Sequence, residues 1–401
     1  MPYAKPPCPK AWTTSLPAAM LLMAPFDILA SLAMDIYLPV VPAMPAILQT
    51  SPAVIQLTLS LYMICLGLGQ VVFGPISDPI GRRPVLLGGA LLFAGASFLL
   101  AGTSTTATFV ALRIMQAIGA SAVLVATFAT VRDVYAQRPE SAVIYGLFSS
   151  MLAFVPALGP IAGALIADHF GWRAIFLTLG GLAAAATLNA WPKWHETRPI
   201  NGDGGRMPFR PILSSLAFWA YTLGFSAAMG AFFVFFSTAP RLLIDRAGFS
   251  QLGFSLAFAT AALVMIVTTR FAKSFVARWG FAGSVLRGMV MLLLGAALLA
   301  VGEMFAEPSF ATFVVPMWVI AVGIVFAVSV TANGALEAFG DVAGAAVAIY
   351  FCIQSLVVGI IGTLFVIMLG GDTAWPLVGY CLVLPVVTLT MLRQLRKRQG
   401  V

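Results

Sequence analysis

Three ionisable side chains stand where this chain can least accommodate them. Asp27, Asp35 and Arg113 lie inside long apolar runs, apart from the other charges. At the centre of a membrane-spanning helix each would cost about 2.5–3.5 kcal/mol. Their chemistry is loading and unloading of a proton on a carboxylate, tuned by a nearby cation. Asp35 follows Asp27 by eight residues, which on a helix is about 12 Å along and about 80° around, so both can face one cavity. Arg113 belongs to another run, at a depth between the two carboxylates and nearer Asp35. This spacing predicts an Arg113–Asp35 contact. It leaves Asp27, flanked by Pro25, Phe26, Ile28 and Leu29, as the carboxylate that takes up a proton. The alternative reading of the same residues is a static ion pair fastening two helices together.

The elements that must hold these groups are membrane spans. The chain has 401 residues, with 22 Lys or Arg, 14 Asp or Glu and 61% hydrophobic residues. Ordinary soluble domains carry roughly 25% charged residues, against 9% here. That excludes a soluble enzyme, a disordered chain and a secreted module, and leaves a chain whose solvent is lipid. Cys8, Cys65, Cys352 and Cys381 show no disulfide or zinc spacing, and His169 and His195 are isolated. No metal or cofactor is expected. No nucleophile–base set or Gly-rich phosphate loop points to a membrane enzyme. The first apolar run continues past the length of a signal-peptide core, so no cleaved leader is expected.

Apolar runs of about 20 residues occur twelve times, at 17–41, 53–73, 84–101, 106–131, 142–167, 172–191, 211–239, 251–269, 280–304, 309–336, 342–369 and 375–392. The expected fold is therefore all-α and integral to the membrane, with twelve transmembrane helices in two six-helix bundles, 17–191 and 211–392. A Gly- and Pro-bearing linker at 192–210 joins them; residues 1–16 and 393–401 form an N-terminal tail and a basic C-terminal tail. Eighteen Lys and Arg fall on the face that holds both tails. Three, Arg173, Arg241 and Arg246, fall on the other, and Arg113 is buried. The positive-inside rule then makes both ends cytoplasmic, and in a bacterium the location is the inner membrane. The basic balance thus reports topology rather than a nucleic-acid partner.

The second half lacks charges near most span centres. Span 7 instead carries Phe218, Trp219, Tyr221, Phe225, Phe232, Phe233, Phe235 and Phe236. Such a wall suits an uncharged lipophilic ligand, although aromatic residues also pack between helices or face lipid. Ser31, Gln116 and Ser150 are expected to hydrogen-bond that ligand beside Asp27, and Phe233 and Tyr350 to stack on its ring.

Several motifs carry a family resemblance. The connection between spans 2 and 3 contains Gly74, Asp78, Gly81, Arg82 and Arg83, and resembles the cytoplasmic signature of the major facilitator superfamily. There Asp78 is expected to accept helix N-terminal N–H groups or to pair with Arg132, forming a conformational latch. Pro79 stands where the family pattern has Arg, which removes one latch partner. Arg113-x-x-Gln116-x-x-Gly119 resembles the family's span 4 element, whose Arg is implicated in proton coupling. Gly159-Pro160-x-x-Gly163 resembles the signature of its drug/proton antiporter branch, with Ala164 in place of the last Gly. The stretch from Asp27 to Pro45, with Asp35-Ile-Tyr-Leu-Pro39 and Pro42-Ala-Met-Pro45, resembles the Bcr/CflA group, and Leu21–Pro45 together with Thr127–Tyr135, Tyr145–Gly163 and Phe232–Pro240 resembles its chloramphenicol/florfenicol exporters.

That resemblance implies proton-coupled efflux of phenicol antibiotics by alternating access, with drug, protons and the lipid bilayer as partners, a monomeric state and no enzymatic reaction. The alternatives are an antiporter of the same fold for another lipophilic drug or a metabolite, and a proton-coupled importer, against which the Gly-Pro-x-x-Gly element argues.

Overall fold

The computed structural model describes residues 16–135, 140–198 and 209–399. The tail at 1–15, most of the linker, and Lys5, Lys10, Arg138 and Arg206 of the charge tally lie outside them. Among the described residues there is no strand, and twelve helices are long and apolar enough to cross a membrane. These spans are Pro17–Ile47, Pro52–Ile80, Arg82–Gly102, Thr106–Tyr135, Gly146–Phe170 and Trp172–Lys193. The second set is Leu216–Arg246, Gln251–Thr269, Ala272–Phe305, Phe310–Phe339, Gly344–Met368 and Trp375–Arg398. The expected twelve runs are present in order.

Boundaries move where local chemistry outweighs hydropathy. Span 1 is α-helical over Leu16–Asp35, then tightens to a 3-10 helix at Leu38–Ala43 before a short turn at Met44–Ile47. Pro39, Pro42 and Pro45 lack the N–H groups an α-helix would need there. Span 2 stays helical through Ile80, so the stretch expected as a loop is largely helix and the turn is confined to Gly81. Gly81 has φ +111°, a conformation open to glycine; Gly74 sits in the helix and makes no turn. The basic end of span 12 continues as helix to Gln399 rather than ending at 392. Span 7 is preceded by a short helix, Phe209–Leu213.

The two halves pack alike. Spans 3 and 4, 3 and 6, 2 and 4, 1 and 4, and 1 and 6 are neighbours, and each pair has its counterpart six spans later. Between halves, span 2 lies against span 11 and span 5 against span 8, the same relation seen from each side. This is a parallel repeat. Large apolar side chains ring the outside: Leu99, Leu188, Leu256 and Val301 are each more than half exposed. In water such a surface would aggregate; against hydrocarbon it is the required face.

Side-chain hydrogen bonds between the halves, among the described residues, are Gln56 Nε2 to Ser237 Oγ (3.0 Å), Ser60 with Thr363, and Ser255 Oγ to the Pro160 carbonyl (3.0 Å). All three lie toward the face opposite the basic one. Lower on span 2, nothing stands within 4 Å of a Cβ built at Gly74. Lower on span 5, Ser150 is exposed. Hydrogen bonds thus join the halves on the face opposite the basic one, and on the basic face Arg132 Nη1 comes within 3.3 Å of a Cβ built at Gly344 of span 11.

Candidate functional site

Span 1 brings two of the intramembrane charges, and its end shapes the site. Its last α-helical carbonyls have no helical donor above them, and Arg113 of span 4 fills one such place. Arg113 is fully buried; its Nη1 donates to the Ala33 carbonyl (3.2 Å) and to Gln116 Oε1 (2.7 Å). The guanidinium carbon sits 5.2 Å from the Tyr37 ring centroid and 4.7 Å from that of Tyr62, a cation–π pair of contacts. Tyr62 in turn donates to the Ala30 carbonyl (2.8 Å). Arg113 Nε and Nη2 have no hydrogen-bond partner among the described residues.

The expected Arg113–Asp35 ion pair is not formed. Asp35 ends the α-helix of span 1 on the side that packs against span 5. A Cβ at Gly159 would stand 2.8 Å from the Asp35 Cβ, and one at Gly163 would overlap the Ile36 carbonyl oxygen. The two glycines, flanking Pro160, let the backbone of span 5 lie on the residues that carry Asp35. Arg113 reaches the same helix end from another side. Asp27 is 1% exposed, and its Oδ2 accepts no hydrogen bond from the described residues. Among the described residues no cation pairs with it.

The expected ligand contacts are unevenly placed. Gln116 is buried and already engaged, accepting from Arg113 and donating to Ser97 Oγ (2.8 Å), which donates to the Phe93 carbonyl (2.7 Å). Ser31 is half-buried on span 1. Ser150 is exposed and its hydroxyl donates to the Gly146 carbonyl (2.8 Å). Phe233 is buried, stacks on Phe236 (6.3 Å, 13°) and packs against Gly362. Tyr350 is fully buried, donates to Thr331 Oγ1 (3.2 Å) and packs on Phe225 (5.0 Å) and Phe351 (5.2 Å). In this conformation Phe233 and Tyr350 present no open ring. The aromatic residues of span 7 mostly pack between helices, where Phe258 and Phe313 of spans 8 and 10 join them.

At the basic face the buried residue is Arg82, not Arg132. Arg82 Nη1 meets Asp78 Oδ1 at 2.6 Å, its Nε donates to Asp133 Oδ2 at 2.9 Å, and Ser77 Oγ completes the set. The expected Asp78–Arg132 pair is replaced because Arg82 lies one helical turn from Asp78 across Gly81. Arg132 is mostly exposed and lies 3.6 Å from Asp133. Asp133, overlooked from sequence, is the buried carboxylate here; its signal was its place beside Arg132 at the end of an apolar span. Nor does Asp78 cap span 3. Glu196 does, its Oε1 accepting from the Arg82 N–H (2.8 Å) and its Oε2 from the Arg83 N–H (3.2 Å).

A model of the Major Facilitator Superfamily matches residues 26–363. A chloramphenicol resistance protein of Pseudomonas aeruginosa is 52% identical over 381 residues, covering 94% of this chain and 91% of that protein. Multidrug resistance protein D of Escherichia coli (strain K12) is 25% identical over 86% of this chain and 87% of its own length. Among solved structures, a POT family transporter in complex with 5-aminolevulinic acid superposes with a TM-score of 0.72 at 13% identity over 95% of each chain. The nucleoside transporter NupG does so with a TM-score of 0.71 at 15% identity, covering 93% of this chain and 99% of its own. These two likenesses concern the fold. With the twelve spans, the repeated halves and the matched family model together, the chain belongs to the Major Facilitator Superfamily of membrane transporters.

Proposed function

We propose that this chain exports phenicol antibiotics, chloramphenicol and florfenicol, from the bacterial cytoplasm in exchange for protons. The observation that carries the reading is Asp27: a buried carboxylate without a cation, in a span whose other end holds Asp35 and lies against Arg113. The relative named for chloramphenicol resistance supports the cargo. The charge asymmetry supports an inner-membrane protein with both ends cytoplasmic, and in this reading a single chain carries the whole cycle.

In the proposed cycle the carrier opens outward with Asp27 protonated, turns inward and releases the proton to the cytoplasm. A neutral phenicol then binds near Asp27, with Ser31 and Ser150 as hydroxyl partners and the aromatic residues of span 7 as its apolar wall. The loaded carrier turns outward, and a proton arriving at Asp27 displaces the drug. Competition for one site couples the two fluxes through differential affinity. Asp35 and Arg113 set the electrostatics of the helix end beside it. Gln116 holds Arg113 rather than the drug.

The test is susceptibility of a sensitive host carrying wild type or Asp27→Asn, with chloramphenicol and florfenicol compared. Resistance to phenicols in wild type and its loss in an equally abundant Asp27→Asn protein is the expected result. Full resistance in the variant removes Asp27 from the mechanism. A wild type that protects against a different lipophilic drug and neither phenicol moves the assignment to that cargo, a reading favoured by the multidrug resistance relative.

A further inference from the structure

The basic-face end of span 9 carries an arginine that the proposed cycle does not use. The helical stretch Ala272–Phe305 is broken at Gly280, whose φ of +66° and ψ of −175° bend the chain between a short basic segment and the span proper. Such a backbone is open to glycine. Phe275 is buried and stacks on Trp279 (5.7 Å, 25°), and both rings meet Phe326 of span 10 (4.7 and 5.2 Å). These contacts hold the Trp279 ring beside the first turns of span 9.

Arg287 comes seven residues after Gly280, about 10 Å along the helix. It is exposed. So are Val290, Leu294, Leu298 and Val301, which follow it at steps of three or four residues and so share its side of the helix. That side is the one turned to hydrocarbon. The guanidinium folds back from it toward the basic face. Nη1 donates to the Gly283 carbonyl one turn below (3.1 Å), and the guanidinium carbon lies 4.6 Å from the Trp279 ring centroid. A Cβ built at Gly283 would come within 3.3 Å of both Nη1 and the Trp279 Cβ, so the absence of a side chain there leaves a seat for the arginine. A long basic side chain at a lipid-facing position carries its charge to the interface in this way.

The charge has no counter-ion among the described residues. No carboxylate pairs with Arg287, nor with Arg270, Lys273 or Arg278 of the same connection, all of them exposed. The repeated fold does not call for a cation here either. Aligning the two turn glycines, Gly81 and Gly280, puts Gly88 at this place in span 3, where nothing stands within 4 Å of a built Cβ. A guanidinium offers parallel N–H donors that match phosphate oxygens. A Trp ring at the same level suits the headgroup layer, and the cytoplasmic leaflet is the one that presents anionic lipid to basic residues.

We infer that Arg287, seated on Gly283 and Trp279, binds the phosphate of an anionic phospholipid in the leaflet at the basic face, whose acyl chain lies along Val290 and Leu294. The inference rests on the membrane orientation and not on the cargo.

The test needs no drug. Full-length protein in detergent is titrated with dioleoyl phosphatidylglycerol or dioleoyl phosphatidylcholine, and bound lipid is counted by native mass spectrometry. Wild type is expected to hold one phosphatidylglycerol roughly tenfold more tightly than phosphatidylcholine, and Arg287→Ala to lose that preference, the shift that removal of a charge-assisted hydrogen bond produces. Arg287→Lys keeps the charge without the planar fork and should fall between. Arg278→Ala, which removes an exposed charge that stacks on no ring, should leave the preference in place. Unchanged phosphatidylglycerol binding in Arg287→Ala overturns the inference, as does equal binding of the two lipids by wild type. An equal loss in Arg278→Ala would make the attraction diffuse and overturn the site. Inorganic phosphate at the lipid concentration should leave phosphatidylglycerol bound; displacement by it would make the ligand a free phosphate and overturn the lipid assignment. Should Arg287→Ala accumulate poorly, Arg287→Leu, which continues the apolar stripe, carries the same readout. Because no antibiotic is present, failure of phenicol export and failure of the lipid site give separate signatures.

Discussion

Arg113 shows how far a single residue can be read from sequence. Its depth inside an apolar run was enough to mark it, since a cation there is expensive and rare. Its partner was not legible, because that depends on where the α-helix of span 1 stops and which way each side chain leaves it. The helix ends at Asp35, which frees the Ala33 carbonyl for Arg113, while the Asp35 Cβ lies against Gly159 of span 5. The guanidinium is then held by a carbonyl, an amide oxygen and two aromatic faces, with Nε and Nη2 unpaired. Contacts of this kind are worth about 2 kcal/mol or more for a desolvated cation–π pair and about 1.5–3 kcal/mol for a hydrogen bond to a charged group. Arg113→Ala should therefore impair coupling more than folding: normal abundance in the membrane, with drug-driven proton release from vesicles reduced at least about tenfold, corresponding to about 1.4 kcal/mol. Lost abundance with normal release per molecule would instead make Arg113 a structural fastening.

At the scale of elements, span 5 was legible as closely packed but not against what. Small residues at 159 and 163 signal a near approach of helices, and a sequence cannot say which helix approaches. The structure places the end of span 1 there, so the antiporter-like element bears directly on the backbone that carries Asp35. The same limit applied to span 2, whose prolines and glycines read as a loop although the helix runs to Ile80. The geometry predicts a graded series along one span. Gly163→Ala meets a backbone oxygen that cannot yield, and should lower stability by about 1–3 kcal/mol as overpacking does, with export falling alongside. Gly159→Ala meets the Asp35 side chain at 2.8 Å and should be milder in stability but comparable in export. Gly146→Ala, with nothing within 4 Å, should be neutral or gain up to about 1 kcal/mol from helix propensity. Thermal unfolding in detergent beside drug susceptibility checks the order; equal effects at all three would detach the element from Asp35.

The whole molecule was legible as twelve spans in two halves with a sided charge distribution, because lipid imposes length and apolarity on every span. Its conformation was not, because the contacts between the halves are neutral: close packing of spans 2 and 11 at Gly67 and Gly359, and the hydrogen bonds of Gln56 with Ser237, Ser60 with Thr363, and Ser255 with the Pro160 carbonyl. Each such bond contributes about 0.5–1.5 kcal/mol net. Three together amount to a few kcal/mol, of the same order as the roughly 5.5 kcal/mol that takes a two-state equilibrium from 1:99 to 99:1. An interface of this strength closes firmly yet can be reopened by the binding of a small molecule, which a cluster of buried ion pairs could not match without a large desolvation term. Opening it must separate Ser60 on span 2 from Thr363 on span 11. Replacing both by Ser60→Cys and Thr363→Cys, with the native cysteines changed to Ser, puts two thiols where the hydroxyls now touch. Oxidation should join them, hold the halves closed on the face opposite the basic one and stop export, and a reductant should restore it. Export that continues after complete cross-linking would mean that this face does not open during the cycle, and the two-sided mechanism would have to be abandoned.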